Sequence, residues 1–261
     1  MKKYLSLLLI TLSFNTYSFT LVGNAIATFS KPEITVNVGN SSCPDSSDTP
    51  DEILELVGEA ISQYWNTVPS SALYLRKGDL VSVDSGFYTD QICTSGTSNC
   101  TSPIPSVESG ILIVCNDNIS SLGFSSNSIL AVALPNNVTS STINGSVVAF
   151  NARDGSRFAS QTRESKIAIL AHEIGHAIGL GHSEFRDSLM FAENFAERSL
   201  LGQDDYDGVT FLYPKEQGAG AACGTVIRPD DSNKSGLLKS LLMFLLLFSL
   251  LNSLIKSSLN D

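Results

Sequence analysis

All three histidines of this 261-residue chain fall in one short run, AHEIGHAIGLGH, as His172, His176 and His182, with Glu173 directly after the first. The pattern HExxHxxGxxH constrains the local structure before any other element is considered. On a helix, positions i and i+4 share a face, so the imidazoles of His172 and His176 grip one metal ion while Glu173 points to its open side. Gly179 tolerates the positive φ needed to leave the helix sharply, which lets His182 swing back as a third ligand. Three neutral nitrogens leave one coordination position for water. A single catalytic Zn2+ is the expected cofactor, because imidazole ligation, tetrahedral preference and no redox chemistry suit a hydrolytic site, whereas calcium and magnesium prefer oxygen ligands. The sequence is silent on calcium.

A closed structural zinc site would need a fourth protein ligand. The chain has no fourth histidine, and its cysteines read as disulfide partners. The expected reaction is therefore hydrolysis of a peptide bond, with zinc acidifying a water and polarising the carbonyl, and with Glu173 as general base passing the proton to the departing amine. The alternative is a non-catalytic zinc-bearing binding or adhesion module. Glu173 discriminates between the two, since a degenerate site would lose its base or a ligand first.

The rest of the chain bounds the setting. With 43% hydrophobic and 16% charged residues it holds enough apolar material for one full-sized domain with short appendages. Lys+Arg 16 against Asp+Glu 26 gives 16 − 26 = −10, which argues against nucleic acid as a partner. A protein or peptide substrate and a monomeric state are expected. Residues 1–18 read as a signal peptide, with Lys2 and Lys3 ahead of an apolar run too short to cross a bilayer. Export permits disulfides among Cys43, Cys93, Cys100, Cys115 and Cys223. Cys93 with Cys100 is the favoured local pair and Cys43 with Cys115 the favoured second, other connectivities remaining open. Residues 19–214 are assigned to the domain and 215–236 to a small, polar linker. Residues 237–261, apolar between Lys239 and Lys256, read as a membrane anchor or sorting segment. A helix docked on the domain is the alternative for that tail. The expected location is extracellular, periplasmic or at the cell surface.

Between the ends, residues 34–38 look like a strand and 51–65 like an amphipathic helix opened by Pro50. Four β-rich runs follow, in SALYLRKG and at 110–115, 128–134 and 146–151. The histidine-bearing helix comes next, and a last short helix covers QDDYDGVTFLY. This order fits an α/β or α+β layer, one sheet backed by helices.

The same residues resemble a known family. HExxHxxGxxH is the metzincin signature, and Ser183 directly after the third histidine resembles the matrixin branch, the matrix-metalloprotease-like enzymes. DSLM places Met190 where that family has its Met-turn, while Phe191 and Ala192 stand where matrixins carry a proline two residues beyond. LGQDDYDGVTFLYP resembles the matrixin terminal helix, which implies that Asp204 and Asp205 brace the Met-turn. AISQYWNTV and SILAVALP resemble the first helix and the edge strand. The resemblance implies a twisted, mostly parallel five-stranded sheet with an antiparallel edge strand, packed with three helices. It implies that Ile129, Leu130, Ala131, Val132, Ala133 and Leu134 bind an extended substrate by strand addition, with Ala168 at the base of a primed-side pocket. Val132 and Ala149 replace histidines that hold a second, structural zinc in animal matrixins, so that ion is not expected. Nor is a cysteine-switch prosegment or a hemopexin-like domain.

Overall fold

A computed structural model of the chain describes residues 19–24, 26–42, 48–93, 100–118, 124, 126–152, 157–193 and 198–215. The assignments of 1–18, 237–261, nearly all of 215–236, Cys43 and Cys223 lie outside the described residues. Six strands form one sheet: β1 (Thr28–Phe29), β2 (Glu33–Gly39), β3 (Tyr74–Val81), β4 (Gly110–Asn116), β5 (Ala131–Thr139) and β6 (Thr142–Asn151). β3, β2, β4 and β6 lie side by side and parallel. β5 runs antiparallel along β6, and β1 pairs with the start of β6. The four helices are α1 (Pro50–Gln63), α2 (Gly86–Thr89), α3 (Arg163–Ala177) and α4 (Gln203–Leu212). Against the expected five strands and three helices, the additions are the two-residue β1 and the four-residue α2. Neither is long enough to show a period; β1 exists because Thr28 N–H finds the Ser141 carbonyl at 3.0 Å.

The helix starts follow from capping chemistry. Thr49 and Glu52 form a reciprocal capping box at α1, with Thr49 N–H donating to Glu52 Oε2 at 2.7 Å and Glu52 N–H to Thr49 Oγ1 at 3.3 Å. Thr162 Oγ1 accepts from Ser165 N–H at the start of α3. β4 is buried along nearly its whole length, as parallel strands covered on both faces must be. One apolar cluster lies between the sheet and α1, α3 and α4 and includes Trp65, Phe150, Leu170 and Ile174. A second holds Phe87, Ile92, Phe124, Val132 and Ala149. Val132 and Ala149 are direct cross-strand partners in it, so both positions carry apolar packing.

α3 is central to the molecule. Every residue of it is buried except Arg163, Glu164 and His176, because α1 packs on one side and β5 and β6 on another. Trp65 Nε1–H donates to the Ala171 carbonyl at 2.7 Å and Ser146 Oγ to the Ala177 carbonyl at 2.7 Å, which fixes the helix along its length. The edge strand begins at Ala131, three residues after the start of the expected run 128–134. Ile129 and Leu130 precede it, with Ile129 N–H in a turn to the Ser126 carbonyl, and the strand continues through Pro135 with a register shift to Thr139. A disulfide joins Cys93 to Cys100. Cys115 is also disulfide-bonded.

Candidate active site

His172 and His176 sit one turn apart on α3, and the helix ends immediately after them. Ala177 is its last residue and Gly179 takes φ 111, a conformation that only glycine adopts without strain. The amides of Gly179 and Leu180 donate back to the carbonyls of His176 and Gly175, both at 3.0 Å, which is the Schellman pattern. The chain thereby reverses and delivers His182. His176 Nε2 lies 3.1 Å from His172 Nε2 and 3.1 Å from His182 Nε2. An ion with zinc–nitrogen bonds of about 2.05 Å in tetrahedral geometry would hold its ligands ~3.3 Å apart. The three nitrogens therefore fit one such ion, and they form the one such cluster among the described residues.

The other ring nitrogens fix this orientation. His172 Nδ1 is 2.7 Å from the Leu189 carbonyl and His176 Nδ1 is 2.8 Å from the Leu180 carbonyl. A carbonyl only accepts, so each Nδ1 carries the proton and each Nε2 presents a lone pair to the shared centre. Burial pushes the His172 pKa well below its ordinary value and that of His176 down to about 4. Both rings are neutral at physiological pH, the form that binds metal. The His182 carbonyl accepts from Thr20 Oγ1, and Gly181 N–H donates to the Thr20 carbonyl at 2.8 Å, so residues 20–22 strap the loop carrying the third histidine.

Glu173, next to His172 on α3, is 6% exposed. Burial pushes its pKa up to about 8, opposed by a hydrogen bond from the backbone of Ala133 in β5. An adjacent cation favours the ionised form. The carboxyl is thus held against the edge strand by the Ala133 backbone.

Below the histidines lies a tight turn at Ser188–Phe191. Asp205 organises it, its carboxylate accepting from Ser188 Oγ (2.5 Å), Leu189 N–H (2.6 Å), Met190 N–H (3.1 Å) and Gly202 N–H (2.7 Å). Asp204 makes no bond to the turn. It is buried, and its Oδ1 has no hydrogen-bond partner among the described residues, so bracing falls to Asp205 alone rather than to the expected pair. Met190 is buried and packs against α3 at Gly175. Ala168, one turn ahead of His172, is also buried. The structure thus brings together His172, His176, His182, Glu173, Met190 and the Ala133 backbone, while Ile129 and Leu130 lie just ahead of the strand. Sequence reasoning missed Thr20 and Arg198, whose Nη1 donates to the Leu189 and Phe191 carbonyls at 3.3 and 2.6 Å. No motif announces either contact, since each joins a side chain to a distant main-chain oxygen.

A helix ending in an HExxHxxGxxH turn, a methionine turn beneath it and an antiparallel edge strand across from it define a metzincin-type domain. Comparison with known proteins makes the class narrower: residues 121–214 match the family model for matrixin, and the chain carries a matrixin-like domain. It is 41% identical over 59 residues to "Metalloendoproteinase 5-MMP" of Arabidopsis thaliana, a stretch covering 21% of this chain and 16% of that protein. It is 48% identical over 46 residues to "Putative matrix metalloproteinase" of Trichoplusia ni ascovirus 2c, covering 18% of this chain and 9% of the other. With "Matrix metalloproteinase-19" of Homo sapiens it shares 44% identity over 50 residues, covering 18% and 10%. The matched stretches therefore span less than a fifth of each relative. The matrixin likeness and the three-histidine cluster together fit a zinc site and a metallopeptidase.

Proposed function

We propose that this protein is an exported zinc-dependent endopeptidase that hydrolyses peptide bonds of extended protein substrates. One observation carries the reading: the helix that brings three imidazoles together also buries a carboxyl, Glu173, next to His172 in sequence and hydrogen-bonded by the backbone of the edge strand. His172, His176 and His182 would hold the ion, which when bound supplies Lewis acidity toward a carbonyl oxygen and lowers the pKa of water. The residues of the chain do the rest. β5 offers ladder groups along its outer edge to an extended peptide, with the apolar run 129–134 beside it. Glu173 takes a proton at its carboxylate from the attacking water and delivers it to the departing amine nitrogen. Ala168 leaves room for an apolar side chain next to the cleaved bond. Within this reading, residues 1–18 direct export and 237–261 retain the protein at a membrane or surface. Among the described residues no helix is long and apolar enough to cross a membrane.

The test is cleavage of a denatured protein by the purified wild type and by Glu173→Ala at matched zinc content. The expected outcome is cleavage by the wild type and a fall of about 10²–10⁴ in rate for the variant with zinc still bound. A folded, zinc-loaded wild type that cleaves nothing would sink the reading in favour of a non-catalytic zinc-bearing binding module.

A further inference from the structure

β4 and β6 end side by side at two buried asparagines, Asn116 and Asn151, which are cross-strand partners and only 0% and 2% exposed. An asparagine amide carries two N–H donors on one nitrogen, so it can meet two carbonyls at once, which the like-shaped Asp and Leu side chains cannot. Each of the pair spends its amide on a segment from elsewhere in the chain. Asn116 Nδ2 donates to the Phe87 and Asp90 carbonyls at 3.1 and 2.9 Å. Asn151 Nδ2 donates to the Ser126 and Ile129 carbonyls at 3.3 and 2.8 Å. The main chain of Asn151 adds a third bond, its N–H donating to the Leu130 carbonyl at 3.0 Å. One residue at the end of β6 therefore holds three carbonyls of the turn that leads into β5.

The turn itself is exposed at residues 126–128. Its own bonds, from Ser128 N–H to Ser126 Oγ at 3.1 Å and from Ile129 N–H to the Ser126 carbonyl at 3.2 Å, bend it without tying it to the sheet. Arg157 N–H reaches the Asn127 carbonyl at 3.4 Å, near the limit for such a bond. The buried amide of Asn151 supplies the closer tie. Ala131, the first residue of β5, follows at once, and two residues further on the Ala133 backbone bonds the carboxyl of Glu173. Because the turn faces solvent, water takes the place of the amide donors when they are removed. The start of the strand then loosens while the buried sheet persists.

We infer that Asn151 is a positioning residue that fixes the start of β5 and thereby the edge along which a peptide is held. The inference rests on the proposed reading of β5 as a peptide-binding strand, and its test separates the two. The probes are acetohydroxamate, which offers a zinc-chelating group alone, and a short alanine–leucine peptide carrying the same group as its cap. Their affinities are measured by calorimetry on the zinc-loaded full chain. The wild type is expected to bind the peptide about tenfold or more tighter than acetohydroxamate, the margin coming from strand addition. Asn151→Leu keeps the branched outline and removes the donors. It should cut that margin to below about threefold at unchanged acetohydroxamate affinity and zinc stoichiometry. Amide hydrogen exchange at residues 129–134 should quicken by about tenfold, with α3 unchanged. Asn151→Ala carries the same comparison if the leucine variant does not fold. A margin that survives the substitution would overturn the inference, whatever the exchange rates show. So would equal weakening of both ligands, which would mark Asn151 as serving stability alone. A wild type that binds the two ligands equally would defeat the reading of β5 as a peptide strand, and the inference with it. A wild type that shows the margin yet cleaves no protein would defeat the proposed hydrolysis and leave the assignment of Asn151 standing.

Discussion

A methyl group added at Gly175 would stand 2.3 Å from Met190 Sδ and 2.7 Å from Trp65 Cζ2. The methionine is a flexible side chain, but the indole is held by its bond to the Ala171 carbonyl. Gly175→Ala is therefore expected to destabilise the metal-free protein by about 1–3 kcal/mol through overpacking. Urea unfolding measures this, and a change below about 0.5 kcal/mol would mean that Met190 does not pack as described. At this scale the sequence showed which side chains matter: two histidines and a glutamate at helical spacing, with a third histidine after a glycine, leave few alternatives. It could not show the groups that orient them. The carbonyls of Leu180 and Leu189 and the backbone of Ala133 are features that every residue possesses, so only their placement distinguishes them.

α4 shows what one element contributes to another. Its third residue, Asp205, caps its own helix through Gly202 N–H and at the same time gathers three donors from the turn at Ser188–Met190. Asp205→Asn places an amide donor among four donors and removes the charge that strengthens each bond. The expected loss is about 2–3 kcal/mol of stability, together with weaker zinc retention, because the Leu189 carbonyl that holds His172 belongs to that turn. Chemical denaturation and zinc titration of the variant check both effects, and unchanged zinc affinity would uncouple the turn from the metal centre. The cap was legible as an acidic first turn in QDDYDG. Its second role was not, since the partner residues are 15 to 17 positions away and the contact depends on how α4 packs.

Among the described residues, none of the apolar clusters contains a histidine, so the fold does not depend on the ion for its core. Chelating the zinc should lower the melting temperature yet leave a single cooperative transition, the ion contributing on the order of 3 kcal/mol when present at a hundredfold over its Kd. Circular dichroism melts with and without chelator test this. Unfolding at room temperature on chelation would show a metal-dependent fold instead. The sequence by itself determined the helix that carries the histidines, the glycine reversal after it and most of the strands, because these follow from local spacing, backbone freedom and apolar runs. Only the tertiary structure decided the order β3-β2-β4-β6-β5, the starting point of the edge strand at Ala131, the division of labour between Asp204 and Asp205, and the reach of Arg198 and Thr20 to the loops around the metal centre. Those features arise from contacts between distant segments, whose hydrogen-bonding groups recur at every residue and acquire a partner only when the core packs.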